Sequence, residues 1–149
     1  MIPATLNHVE EISTTARGMD RLEVLYQSGL ELKPALELSY RISSECWAGF
    51  ADERLVTVFG VGATAPLDGI GAPWMIATPE LERLAIPFLR RNWYYLNRMK
   101  MSYPVLTNVV YAENDVSIRW LTWMGFKMGE IELYGPQAKP FRRFSWGAV

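Results

Sequence analysis

An α/β sandwich, with helices laid on a mixed β-sheet, is the fold class this 149-residue sequence predicts. Three observations carry it. The chain has the size of one ordinary domain, half of it hydrophobic and 21% charged, which excludes a disordered tail or a low-complexity linker. Apolar residues recur at helical spacing through the first third, and the pattern turns strand-like from Cys46. From Trp74 onward, strand-like and helix-like segments alternate, and each helix is framed by a cap and a stop. A chain of this length buries roughly two-thirds of its unfolded surface, so one core suffices without disulfide or metal.

Residues 2–5 read as a short edge strand, because Pro3 cannot sit centrally in a ladder. Asn7 is placed to cap a helix over 8–17, with Glu10 in the capping-box position and Val9, Ile12 and Ala16 on one face. Gly18 is a natural stop. An apolar run over 22–26 precedes the Ser28-Gly29 turn, and Pro34 opens a helix carrying Leu36, Leu38, Tyr40 and Ile42. Segments 46–50 and 55–61 flank the polar Ala51-Asp52-Glu53-Arg54, a β-hairpin pattern. Residues 60–73 hold Gly60, Gly62, Gly69 and Gly71 with Pro66 and Pro73, and read as the one long loop. Residues 74–77 form a buried strand. Thr78-Pro79-Glu80 then starts a helix running to about residue 101: Thr caps, Pro takes the first position, Glu faces the positive dipole end, and Pro87 should bend it. Residues 105–111 are a second buried strand. Asn114 caps a helix over 115–124, with Val116, Trp120, Trp123 and Met124 on one face and Gly125 as its left-handed stop. Two last strands, 127–134 and 141–146, turn at Gly135-Pro136. The order is β-α-α-β-β-β-α-β-α-β-β, with no repeat, linker or second domain, so residues 1–149 are read as a single domain.

Composition excludes several function classes. Fifteen Lys and Arg against sixteen Asp and Glu give a net charge of −1, which argues against a nucleic-acid partner. One cysteine and one histidine, Cys46 and His8, leave neither an intramolecular disulfide nor a His/Cys metal site. No apolar run approaches the ~20 residues of a membrane span, and the first residues open no signal peptide, so a soluble protein of a reducing compartment is expected. Cys46 as nucleophile competes with a small buried hydrophobe on a strand. Glu80 and Glu82 as an acid/base pair compete with simple dipole stabilisation. Six tryptophans are a heavy load, and Trp93-Tyr94-Tyr95 cannot all face inward on one helix. Trp93 and Tyr94, with Phe141, Phe144 and Trp146 on a last strand expected at a sheet edge, are therefore candidates for contact with a protein partner.

From the hairpin onward the element order resembles the GNAT acyltransferase fold. The sharpest match is Asn114-Asp115-Val116-Ser117 through Trp120-Leu121-Thr122-Trp123-Met124-Gly125-Phe126, similar to the superfamily's segment in which Asn caps the helix after the fifth strand and Gly-Phe closes it. Ser117-Ile118-Arg119-Trp120-Leu121, the Thr78-Pro79-Glu80 start and Ser43-Ser44-Glu45-Cys46-Trp47 resemble, more narrowly, small tailed-phage proteins of the internal virion protein A-like and phage acetyltransferase kind. The resemblance implies a mixed sheet flanked by helices and, for an enzyme, acetyl-CoA as cofactor. Ile76, Thr78, Asn114 and Ser117 are then the positions for cofactor contact.

Two departures bear on catalysis. The superfamily's glycine-rich, basic pyrophosphate loop corresponds here to Ala77-Thr78-Pro79-Glu80-Leu81-Glu82, which has no glycine and no basic residue before Arg83. Proline deletes an N–H donor, Thr78 can occupy another, and carboxylates repel phosphate. Where many members carry a tyrosine that protonates the departing thiolate, this chain has Leu121; Tyr111 and Tyr134 are the candidate substitutes. On these grounds no cofactor is expected, and the expected function is a phage virion- or assembly-associated scaffold without catalysis. It would bind other virion proteins or its own copies, in the virion or the host cytoplasm. The alternative is an acetyl-CoA-dependent N-acyltransferase with a degenerate pyrophosphate loop.

Overall fold

The computed structural model describes residues 1–65 and 68–147. Seven strands form one sheet in the order β1-β2-β3-β4-β5-β7-β6: β1 Ile2–Pro3, β2 Glu45–Ala51, β3 Arg54–Ala63, β4 Ile70–Ala77, β5 Val105–Tyr111, β6 Lys127–Tyr134 and β7 Lys139–Trp146. Helices α1 (Leu6–Thr15), α2 (Gly18–Ser28) and α3 (Leu32–Ile42) precede the main strands, α4 (Ala85–Ser102) links β4 to β5, and α5 (Asp115–Trp123) follows β5. All neighbouring pairs are antiparallel except β4 with β5. The expected mixed sheet flanked by helices is what the chain forms.

Several local expectations are revised. Helix α1 begins earlier, because Thr5 rather than Asn7 is its cap: Thr5 Oγ1 accepts from His8 N at 3.4 Å, and Thr5 N donates to His8 Nδ1 at 3.0 Å. The run over 22–26 belongs to a full helix, α2. Gly18 opens that helix rather than closing α1, since the chain breaks at an extended Ala16-Arg17. Gly29, at φ 76°, ends α2 in the left-handed conformation that favours glycine. Strand β4 reaches back into the expected loop, whose Pro66 lies outside the described residues. After Thr78 comes a 3₁₀ helix, Pro79–Leu84, and only then α4. Pro87 stands in the first turn of α4, where no intrahelical N–H bond is lost.

Two layers of core enclose the sheet. Phe59, Leu81, Phe88, Leu96, Leu106, Trp120, Phe126 and Phe144 pack together on the α4–α5 face. Val9, Ile12, Leu32, Leu36, Val58 and Ile76 pack under α1 and α3, and Val109, Tyr111 and Phe141 under Leu22 and Tyr26 of α2. Each such side chain contributes about 1.5–3 kcal/mol on burial. Phe141 and Phe144 thus belong to opposite core layers and offer nothing to a partner. The reason is topological: β7 lies between β5 and β6 rather than at the sheet edge.

Candidate active site

The parallel pair β4 and β5 is where the sheet opens. They meet at only two places, Ile70 beside Val105 and Gly71 beside Leu106. A Cβ on Gly71 would come within 2.6 Å of the Tyr103 ring, so the close end of the wedge requires glycine. Two residues later Pro73 has no N–H to offer β5. Its carbonyl accepts instead from Asn108 Nδ2 at 2.9 Å, while Asn108 Oδ1 accepts from Val109 N at 2.8 Å and from Gln27 Nε2. Asn108 thereby takes the bonds a ladder would have used. At the wide end, Ala77 N donates to Asp20 Oδ2 and Ala77 O accepts from Arg17 N, at 2.9 and 2.8 Å. Alternation along β4 then directs the peptide groups of Met75 into the gap between Pro73 and Ala77. A cavity of about 580 Å³ occupies the opening and reaches both faces of the sheet. Its walls include Val24, Leu36, Trp74 and Ile76 on one side, and Leu96, Trp120, Leu121 and Met124 on the other.

A buried polar cluster closes the wide end. Arg17, held extended between α1 and α2, donates to Asp20 Oδ1 (2.7 Å), Glu82 Oε1 (3.0 Å), Ser117 Oγ (3.0 Å) and Asn114 Oδ1 (3.2 Å). Its guanidinium lies over the Trp120 ring. Burial works against its charge, but Asp20 and Glu82 hold its pKa above the ordinary value. Glu23, six residues further on in α2, is half-buried and opens to the cavity. Its Oε1 accepts from Tyr111 N at 2.8 Å and from Asn114 Nδ2 at 3.2 Å, and Oε2 has no partner among the described residues. Burial pushes its pKa up to about 7, against the lowering effect of those two bonds. Three buried side-chain polar atoms lack hydrogen bonds among the described residues: Arg17 Nε, Thr78 Oγ1 and Asn92 Oδ1. Asn92 lines the cavity from α4 and is 4% exposed.

The expected site residues divide. Ile76 and Ser117 line the cavity, and Asn114 organises its end by capping α5 and joining Arg17 to Glu23. Thr78 is buried beside the opening, yet its hydroxyl caps nothing. Tyr134 reaches the cavity wall; Tyr111 does not, because its hydroxyl donates to Glu113, whose carboxylate pushes its pKa up to about 12. Leu121, where the resemblance implies a tyrosine, lines the cavity and has no proton to give. Glu80 and Glu82 form no acid/base pair: Glu80 accepts from Arg54 Nε at 3.1 Å, which lowers its pKa, and Glu82 pairs with Arg17. Burial pushes the Cys46 thiol up to about 12, which makes it a poor nucleophile. Among the expected partner residues, Trp93 and Tyr94 are exposed, and Trp146 is half-buried under Lys100 Nζ at 4.5 Å.

Arg17, Asp20 and Glu23 were not singled out from sequence, although their spacing of three marks one helical face. Reading Gly18 as a stop hid it, because the three residues then belonged to no common element. Asn92 sits among the apolar buried residues Phe88, Leu89, Leu96 and Met99 of α4, which gave it no separate signal.

This architecture is that of the GNAT acetyltransferases. The structure of smu.2055 from Streptococcus mutans superposes with a TM-score of 0.71 at 13% identity, covering 97% of this chain and 96% of that one. Ribosomal-protein-alanine N-acetyltransferase from Brucella melitensis gives 0.69 at 13% identity over 98% of both chains. An acetyltransferase of the GNAT family from Streptococcus pneumoniae gives 0.66 at 10%, over 97% and 96%. No family model matches the sequence, and no curated protein matches it. These likenesses carry the fold; none of the three proteins is described as a phage product.

Proposed function

We propose that this chain is an acetyl-CoA-dependent N-acyltransferase with a weakened grip on the cofactor's diphosphate. The observation that carries this reading is the opening between β4 and β5, with the Met75 peptide groups aimed into it and a cavity reaching both faces of the sheet. Strands packed for stability alone would have continued their ladder. A thioester arm fits here: Met75 would bond its amides, while Ile76, Leu121 and Met124 would wall it. The group supplies an acyl carbon activated toward amines. The other end fits less well. The 3₁₀ helix Pro79–Leu84 has proline at its first position, Leu81 N is used by Thr78 O at 3.1 Å, and no glycine brings backbone close. Glu80 is at least paired with Arg54, whereas Glu82 shares Arg17 with Asp20.

That loop and Leu121 favour a second reading, the non-catalytic binding scaffold, with exposed Trp93 and Tyr94 as its contact surface; nothing in the comparisons supports a virion role. Thiol release from acetyl-CoA separates the two. The acyltransferase reading expects release above the hydrolysis background when a primary amine is added, and a flat trace across an amine panel would refute it.

A further inference from the structure

We infer that Glu23 is the proton acceptor for an amine of one particular class, an apolar body bearing a single ammonium, admitted from the α2–α3 side of the sheet. The inference rests on the acyltransferase reading for its reaction and on independent features for its substrate. On that side the cavity is walled by Val24, Leu36 and Trp74, and its rim carries Leu30, Leu38 and Ile42, the last two 53% and 63% exposed. Exposed leucine and isoleucine around one opening favour an apolar occupant. Among the described residues lining the cavity, Glu23 is the one Asp, Glu, Lys, Arg or His. One carboxylate matches one ammonium. A polyamine would bring further charges to walls that offer them neutral groups such as Gln27, Ser39 and Asn108 but, among the described residues, no second carboxylate, at a desolvation cost.

Glu23 is also held as a proton acceptor should be. Two donors, Tyr111 N and Asn114 Nδ2, fix Oε1, so the carboxyl cannot rotate freely while Oε2 stays unengaged. Arg17 does not capture it, because that guanidinium is committed to Asp20, Glu82, Asn114 and Ser117. The charged groups acting on Glu23 are Asp20 on its own helix, which raises its proton affinity, and Arg17, which lowers it; β5 and α5 present the neutral Tyr111 amide and Asn114. A pKa near 7 keeps the group ionised in mildly alkaline solution and able to hold a proton once it has one. The step balances as R–NH3⁺ with –COO⁻ giving R–NH2 with –COOH. It removes both charges from the apolar cavity and exposes the nitrogen lone pair.

The test is binding of n-octylamine to the purified protein without cofactor, followed by calorimetric titration and by the tryptophan fluorescence to which the cavity-lining Trp74 and Trp120 contribute, with spermidine and n-octanol as comparison probes. Octylamine is expected to saturate, with spermidine at least about tenfold weaker. Glu23→Gln preserves an acceptor for both donors, and should weaken octylamine at least about tenfold while leaving octanol unchanged. Wild-type affinity for octylamine should fall by a similar factor between pH 8.5 and 5.5, and this pH dependence should vanish in Glu23→Gln. Leu38→Lys, at the exposed rim, provides a second variant should the first fold poorly; its cation should repel octylamine and spare octanol. Equal octylamine binding by wild type and both variants, or spermidine binding as tightly as octylamine, overturns the inference. Acetyl-CoA binding with no octylamine binding would sink this inference alone. Octylamine binding with no acetyl-CoA binding would sink the acyltransferase reading instead.

Discussion

Replacing Glu23 by Gln should change how the stability of the protein depends on pH. The folded state holds this carboxyl near pKa 7 against an ordinary value of 4.5, so it binds the proton more tightly than the unfolded chain does. Stability from this group is therefore complete below pH 4.5 and is lost as pH rises to about 7, where the folded protein must carry a buried negative charge. At about 1.36 kcal/mol per pH unit of separation, the loss comes to about 3 kcal/mol. Gln has nearly the same shape, can accept from Tyr111 N and Asn114 Nδ2, and never ionises. Urea unfolding at pH 5, 6, 7 and 8 checks this directly. The wild-type free energy should decline relative to Glu23→Gln across that series, and the variant should be the more stable at pH 8. Parallel profiles would refute the reasoning, because they would mean that the carboxyl is solvated and the cavity wider at its wall than described.

Arg17→Met should destabilise by about 3–5 kcal/mol in denaturant titration, since it leaves the buried Asp20 carboxylate without its cation. Trp120→Ala should cost about 3–5 kcal/mol as a buried ring under the Arg17 guanidinium. Leu121→Ala should cost less, about 2 kcal/mol, because part of its surface already faces the cavity; an unchanged melting temperature would place Leu121 outside the core.

Much of the fold was legible in local chemistry. Gly125 at φ 94° closes α5, and Asn114 caps it, as the residue types require. The Asp52 turn joins β2 to β3 where the polar stretch stood between two apolar runs. What failed was punctuation with two meanings. Gly18 serves equally as a helix stop and as a first helical residue, and only the packing of α2 against β5 and β7 decides between them. Phe141 and Phe144 looked available because sequence order does not reveal that β7 inserts between β5 and β6. The site was less legible than the fold. Asn114, Ser117 and Ile76 are candidates through the resemblance, whereas Arg17, Asp20, Glu23 and Asn92 come from the α1–α2 junction, α2 and α4. Their convergence depends on where β4 and β5 part, and Pro73 and Asn108, which set that point, carry no chemistry of their own to draw attention.

Calorimetric titration with acetyl-CoA tests the central claim, that the opening between β4 and β5 receives an acyl donor. Wild-type protein should bind with a Kd of about 10–500 μM, tight enough for an arm seated against Met75 and weak enough for a diphosphate without a glycine cradle. Leu121→Trp, which fills the cavity from α5, should weaken binding at least about tenfold. No heat up to about 1 mM acetyl-CoA, or binding indifferent to Leu121→Trp, would contradict the account.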